Sequence, residues 1–442
     1  MEVVKCLKWS FRFRTVTLPV DVHYKRKFSS SQRKRLIKEL KKLNISASYP
    51  LKTIEAVGYQ KSDIDKFEDE ENVPFAETFT GNCCWNFFPC RDNKKIGRHT
   101  FAKVIFAKGY ETLEKYMNGD FIESEEMLAV SALERFVEEK EIHERSLSAL
   151  TSDGSDETEA KSRALLTNHL LAQLLPTTSY YFLDKTTPGI TDVCLCGCGE
   201  NIQLGTTYIG SPRLFYGPAD IVLFPGSNNM FFEVDNSKCA IFSWKKTTPE
   251  NMRNSNNQEN NNYEKNKSMT DLVESHASLN NVNKLYKQAI ALSIYKYKGM
   301  TINKEFISHD SLETSMIPVC AINGTSYDVV LYDAQNDFLL KMDSDGSKLF
   351  DDNRLKFSAI LDLWFVIHHH LFCSMPPGEV VADLKNTCGL IPRLGEERFA
   401  SIVKTSEWAS LIIPDDKTNH SQLYTLYNSR PAGGKIPSNL LN

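Results

Sequence analysis

The stretch Gly217-Pro218-Ala219-Asp220-Ile221-Val222-Leu223-Phe224, a polar turn Pro225–Asn229, then Met230-Phe231-Phe232-Glu233-Val234-Asp235-Asn236-Ser237-Lys238 decides how the chain is read. Ile221–Phe224 and Met230–Phe232 are short apolar runs bounded by turn formers, and they read as the two arms of a hairpin. Asp220 opens the first arm, and Glu233 and Asp235 close the second. In an antiparallel pair the start of one strand lies beside the end of the other, and residues two apart share a face. Three carboxylates are therefore expected at one edge of a sheet. Such an oxygen-rich cluster suits Mg2+ (or Mn2+), a hard cation held by one or two carboxylates together with substrate phosphate.

Pro218-Ala219-Asp220, about a dozen residues, and then Glu233-Val234-Asp235 resembles the signature of the PD-(D/E)XK nuclease superfamily. The resemblance covers roughly residues 159 to 342. It implies an α/β fold of restriction-endonuclease-like type, with a mixed central sheet flanked by helices. It also implies Mg2+ at Asp220, Glu233 and Asp235, and cleavage of phosphodiester bonds in DNA. The family usually has Lys where this chain has Asp235, and a few members carry Glu there. Asp235 would then be a third ligand or a base, and Lys238 would supply the amine from a displaced position. The alternative is a catalytically inactive nuclease-fold protein that binds nucleic acid or a protein partner.

The neighbouring elements follow the same order. A helix is expected over about 159–175 and strands at Tyr180–Leu183 and, with a bend, Thr206–Tyr216. After the Asp220 and Glu233 strands come a helix at Val282–Tyr297 and strands at Ile317–Ile322 and Tyr327–Tyr332. Helix, three strands' worth of sheet, helix, strand is the core order the resemblance implies. Gln288 and Tyr295 share a helix face, similar to a Gln and Tyr of exonuclease-like members. Gln288 is thus either a nucleic-acid contact or an ordinary exposed helix residue. Between these elements the Asn-rich stretch 247–280 is too polar to offset its ordering entropy and reads as a disordered insertion.

The chain has 442 residues, 41% hydrophobic and 24% charged, enough for two or three domains. The expected division is a basic arm at 1–45, a mixed and helical region at 46–150, the nuclease-like core at 151–345 and a helical region at 346–442. The net charge of −4 gives no overall nucleic-acid signal. The arm differs: Lys25-Arg26-Lys27 and Arg33-Lys34-Arg35 are positioned either to neutralise phosphates or to act as a nuclear-import signal. The other reading is a solvated basic helix, Ser31–Leu43, packed on the body through Leu36, Leu40 and Leu43. A second helix is expected at Ser124–Ser146, capped by Ser124.

Met1–Lys5 lacks an apolar signal core, so an intracellular protein, nuclear or cytoplasmic, is expected. Ser358–Met375 is too polar to span a bilayer and reads as a core helix, leaving no membrane partner. The eleven cysteines are then thiols or metal ligands rather than a disulfide framework. Cys194, Cys196 and Cys198 are candidate zinc ligands, with Cys239 as a fourth. The other reading is a tight turn, with Gly197 and Gly199 between thiols that bind nothing. Cys83, Cys84, Cys90 and His99 match no common zinc spacing and read as a buried corner. His368, His369 and His370 are consecutive, about 100° apart on a helix, and cannot jointly hold one ion. No GxxxxGK loop, G-x-S-x-G elbow, H-E-x-x-H motif or internal repeat is present.

Overall fold

The apolar runs at 221–224, 317–322 and 327–332 become interior strands of one mixed sheet, since runs this apolar need cover on both faces. A computed structural model of the chain describes residues 30–43, 54–61, 77–78, 85–89, 102–150, 159–176, 180–184, 193–194, 196, 198, 204–205, 207–210, 215–224, 240–245, 284–298, 300, 314–323, 326–342, 348–385, 390–391 and 395–405. The strands are β1 (Ile54–Lys61), β2 (Glu77–Thr78), β3 (Trp85–Pro89), β4 (Tyr180–Asp184), β5 (Leu204–Gly205), β6 (Tyr208–Gly210), β7 (Phe215–Pro218), β8 (Ile221–Phe224), β9 (Ala240–Lys245), β10 (Ile317–Asn323), β11 (Ser326–Asp333), β12 (Phe338–Met342), and β13 (Phe350–Asp351) and β14 (Arg354–Leu355), which pair with each other. Nine of them form a sheet in the order β3-β1-β12-β11-β10-β9-β8-β4-β5, and β2-β7-β6 form a second, small sheet.

At the centre β8 runs antiparallel to both β4 and β9. β9 and β10 are parallel, and β11 returns antiparallel to β10. A parallel step needs a crossover, and the helix over 284–298 lies in the chain between β9 and β10.

Side chains alternate along these strands, and the alternation sorts them into two cores. Ile221, Leu223, Phe242, Cys320, Val329 and Leu331 enter one, whereas Val222, Ile241, Val319, Val330 and Tyr332 enter the other. The first core is covered by α1 (Ser30–Lys42), α2 (Ala102–Ile105), α3 (Ala107–Asn118), α4 (Ser124–Leu147), α5 (Glu159–Leu166), and, past the helix 284–298 (α6), α7 (Phe357–Ile367) and α8 (His369–Phe372). The second is covered by α6, through Leu285, Ala289, Ile290 and Leu292, together with Phe399 and Ile402. Helices therefore flank a mixed sheet on both faces. The helices before and after the sheet do not sit apart from it: Leu36, Phe136, Leu223 and Trp364 share one core.

α7 is apolar nearly all round, the pattern of a helix enclosed by protein. Its few polar atoms are matched: Trp364 Nε1–H donates to Ala129 O at 2.8 Å, and the Tyr327 hydroxyl donates to Asp362. α3 approaches α7 at Gly109, where a Cβ would lie 2.5 Å from Cε1 of Phe365. No other residue type fits there without displacing that ring.

Three expectations are corrected. The strand paired with β8 is β9, at 240–245, and not a strand through Met230–Asp235, which lies outside the described residues. The bent strand expected at Thr206–Tyr216 is instead the separate strands β6 and β7, paired antiparallel in the small sheet. Ser124 is the first residue of α4 rather than its cap; Glu123 holds the cap position without a side-chain bond.

Candidate functional site

Asp220 stands immediately before β8, and the chain fixes it there through Thr207. The Ala219 N–H donates to Thr207 O at 3.0 Å, and the Thr207 hydroxyl donates back to Ala219 O at 2.5 Å. Thr207 is fully buried, so this clamp is shielded from competing water. Two helices then point cations at the carboxylate. Lys284 Nζ, from α6, lies 3.1 Å from Asp220 Oδ1, and Arg163 Nη2, from α5, lies 3.5 Å from the same oxygen. All three side chains are largely buried, at 14% exposure for Asp220 and Lys284 and 6% for Arg163. Charges so far from water persist only when compensated, which is what this triplet achieves.

Register places the neighbouring strand. Ile221 pairs with Phe242, so one step further Ser243 stands level with Asp220, and Lys245 follows two residues on. Glu233, Asp235 and Lys238 lie outside the described residues. The amine that meets Asp220 is Lys284, which the sequence reading passed over because it lies 64 positions away in an ordinary helix. Gln288, one turn beyond Lys284, is fully buried rather than exposed.

A second group of side chains gathers around His169. α5 does not continue as a regular α-helix but widens into a π turn over Thr167–Leu171, with the Ala172 N–H bonded to Thr167 O. The extra residue carries Asn168 and His169 toward the thiols of the 194–198 segment. Such widened turns recur at functional sites. His169 Nε2 lies 2.9 Å from Cys196 Sγ and 3.6 Å from Cys194 Sγ, and the two sulfurs are 3.4 Å apart. Cys198 completes the group, with all four ligand atoms within 4.8 Å of one another. These residues can hold a metal ion such as zinc. None of the three cysteines is in a disulfide.

The fourth member is thus His169; Cys239, expected in that place, lies outside the described residues. Burial, and then the neighbouring His143, lower His169 to about 4, which keeps its imidazole neutral near pH 7, the ligating form. Burial pushes the Cys196 thiol up to about 12. The other edge of the imidazole is also engaged: His169 Nδ1 lies 3.5 Å from Nδ1 of His143, whose Nε2 lies 3.6 Å from Glu139. His143 is itself stacked on Phe136.

The basic helix α1 lies on the body. Leu36 and Leu40 are fully buried. Arg33 donates to Tyr116 O at 3.0 Å and stands over the Tyr116 ring, and Arg35 donates to Glu138 O and pairs with Glu141. Lys34 is exposed, and Lys25, Arg26 and Lys27 lie outside the described residues, as do Cys83, Cys84, Cys90 and His99. His368 is buried with Nε2 3.0 Å from Leu174 O, and His369 Nδ1 lies 3.1 Å from Val366 O, so the histidine run serves the end of α7. Among the described residues no helix is long and apolar enough to cross a membrane.

No protein family, curated protein or solved structure matches the chain.

Proposed function

We propose that the chain is a metal-dependent nuclease of the PD-(D/E)XK kind that cleaves phosphodiester bonds in DNA, with Asp220 as the anchoring metal ligand. One observation carries the reading. Asp220 heads β8, the middle of three adjacent antiparallel strands (β4, β8, β9) that lie between α5 and α6 in the chain, with β10 then parallel to β9; the short strands β5, β6 and β7 intervene in the chain between β4 and β8. Asp220 offers the carboxylate oxygen that Mg2+ takes, and binding the ion would require Lys284 and Arg163 to release its Oδ1. When bound, Mg2+ supplies positive charge at the phosphate and a water of lowered pKa. Arg163 and Lys284 bind the phosphodiester oxygens, and the fixed guanidinium orients them. Lys284, on a flexible stem, exchanges Asp220 for a phosphate oxygen as substrate enters. Glu233, Asp235 and Lys238, which lie outside the described residues, would supply the further carboxylates and the amine.

A second reading has an observation of its own. Two cations already neutralise Asp220, and the strand beside it carries Ser243 at that level, not a carboxylate. That pattern suits an inactive nuclease-fold protein that binds nucleic acid without metal. Incubation with linear, circular and single-stranded DNA in Mg2+, Mn2+ or EDTA separates the two. Metal-dependent cutting that Asp220→Asn abolishes is expected. Binding without cutting, equal in EDTA, would replace the first reading with the second.

A further inference from the structure

We propose that His169, Cys194, Cys196 and Cys198 hold one structural zinc ion, and that His143 and Glu139 form the hydrogen-bonded relay that orients its imidazole ligand.

The distances fit the ion. Zinc at about 2.3 Å from sulfur and about 2.0 Å from nitrogen, in tetrahedral geometry, puts two thiolates about 3.8 Å apart and a thiolate and imidazole nitrogen about 3.5 Å apart. The Cys194–Cys196 sulfurs stand at 3.4 Å and Cys194 Sγ–His169 Nε2 at 3.6 Å. Cys196 and His169, at 2.9 Å, and the Cys194–Cys196 sulfurs need to move apart by a few tenths of an ångström, and Cys198 Sγ lies within 4.8 Å of the other three ligand atoms. Three soft thiolates and one imidazole in a four-coordinate set select zinc over the hard cation proposed at Asp220. Four protein ligands leave no position for water, so this ion is structural and not catalytic.

Donors that a zinc-bound thiolate would accept from already face the sulfurs. Zinc with three thiolates leaves one net negative charge, and donors face it. The Cys198 N–H donates to Cys196 Sγ at 3.3 Å, and Asn168 Nδ2 donates to Cys198 Sγ at 3.5 Å. Asn168 is brought there by the same π turn that presents His169. On the far side of the ring, a zinc-ligating imidazole carries its proton on the other nitrogen and needs an acceptor for it. His169 Nδ1–H faces Nδ1 of His143, and the His143 Nε2–H faces the Glu139 carboxylate. One assignment of protons suits both contacts; His143 Nε2 is buried without a hydrogen bond, 3.6 Å from Glu139, and a small approach of that carboxylate closes the relay. His143 is a positioning residue: it touches the ligand and not the ion.

The site joins α5 to the connection between β4 and β5. Arg163, which meets Asp220, lies on the same helix about 9 Å before His169 along the axis.

The test uses the full chain, with any affinity tag removed. One zinc per chain by mass spectrometry, with an X-ray absorption shell of three sulfurs and one nitrogen, is the expected result and needs no variant. Cobalt(II) replacing the zinc should give the visible bands of a tetrahedral site and a thiolate charge-transfer band. Both should vanish in the Cys194→Ser/Cys196→Ser double variant and persist in Cys373→Ser. His143→Phe should keep the spectrum but weaken cobalt affinity 10- to 100-fold, leaving the unfolding midpoint of the metal-free chain unmoved. A chain that neither carries zinc nor develops the cobalt spectrum overturns the site. A spectrum unchanged in the double variant overturns it too. His143→Phe with wild-type affinity overturns the relay.

Discussion

Asp220 holds a charge almost out of water, and its two cations decide what that costs. Removing a partner from a buried pair costs about 3–5 kcal/mol and from an exposed pair under about 1 kcal/mol. Asp220 lies between these limits and keeps Arg163 when Lys284 is lost. Lys284→Met should therefore destabilise the chain by about 2 kcal/mol in urea unfolding, and Asp220→Asn should remove most of the effect of a second Lys284→Met change. His368 gives a prediction in pH. Complete burial lowers it to about 4 from 6.5, so the unfolded chain takes up its proton first as pH falls. Stability drops between about pH 6.5 and about pH 4 by about 3 kcal/mol, and is unaffected by this residue above that window. The unfolding midpoint of His368→Gln should fall less steeply across the same range. Little of this was legible beforehand. Asp220 announces itself by its place before an apolar run. Lys284, Arg163 and His169 do not, because each sits in a helix whose pattern is set by apolar neighbours, and only the tertiary fold brings them to their partners.

At the level of elements, packing distance between helices sets what is allowed. Ala is a better helix former than Gly by about 1 kcal/mol, yet Gly109→Ala should destabilise. Its Cβ would meet the Phe365 ring at 2.5 Å, and overpacking costs about 1–3 kcal/mol. Thermal unfolding of Gly109→Ala beside Gly109→Ala/Phe365→Leu checks this, because the smaller side chain relieves the clash and exposes the helix-propensity gain. The strands whose apolar runs are long, β10 and β11, lie where the sequence puts them. β9 does not. Met230–Phe232 has the same local character as a strand, and pairing with β8 goes to Ala240–Lys245 through backbone register, which no local pattern encodes. The π turn is equally silent in sequence: 167–171 keeps helical composition, and its widening shows only in the bond from Ala172 to Thr167.

Across the molecule, one core joins residues that a partition by sequence would separate. Leu36 and Leu40 of α1, Phe136 of α4 and Trp364 of α7 pack on the same sheet face as Leu223 and Leu331. A fragment limited to 159–342 exposes that face and should lose cooperative unfolding and bind hydrophobic dyes, whereas the full chain should do neither. The basic helix α1 is also bound into this body, since Arg33 and Arg35 are engaged by α3 and α4. The Trp364 bond to Ala129 spans 235 positions, and Ile54 of β1 pairs with Met342 of β12. During synthesis, then, α3 and α4 leave the ribosome before their α7 partner exists and wait for about half the chain to be translated before it arrives. Contacts this distant form slowly, and the uncovered helices are the surface a chaperone would hold in the meantime.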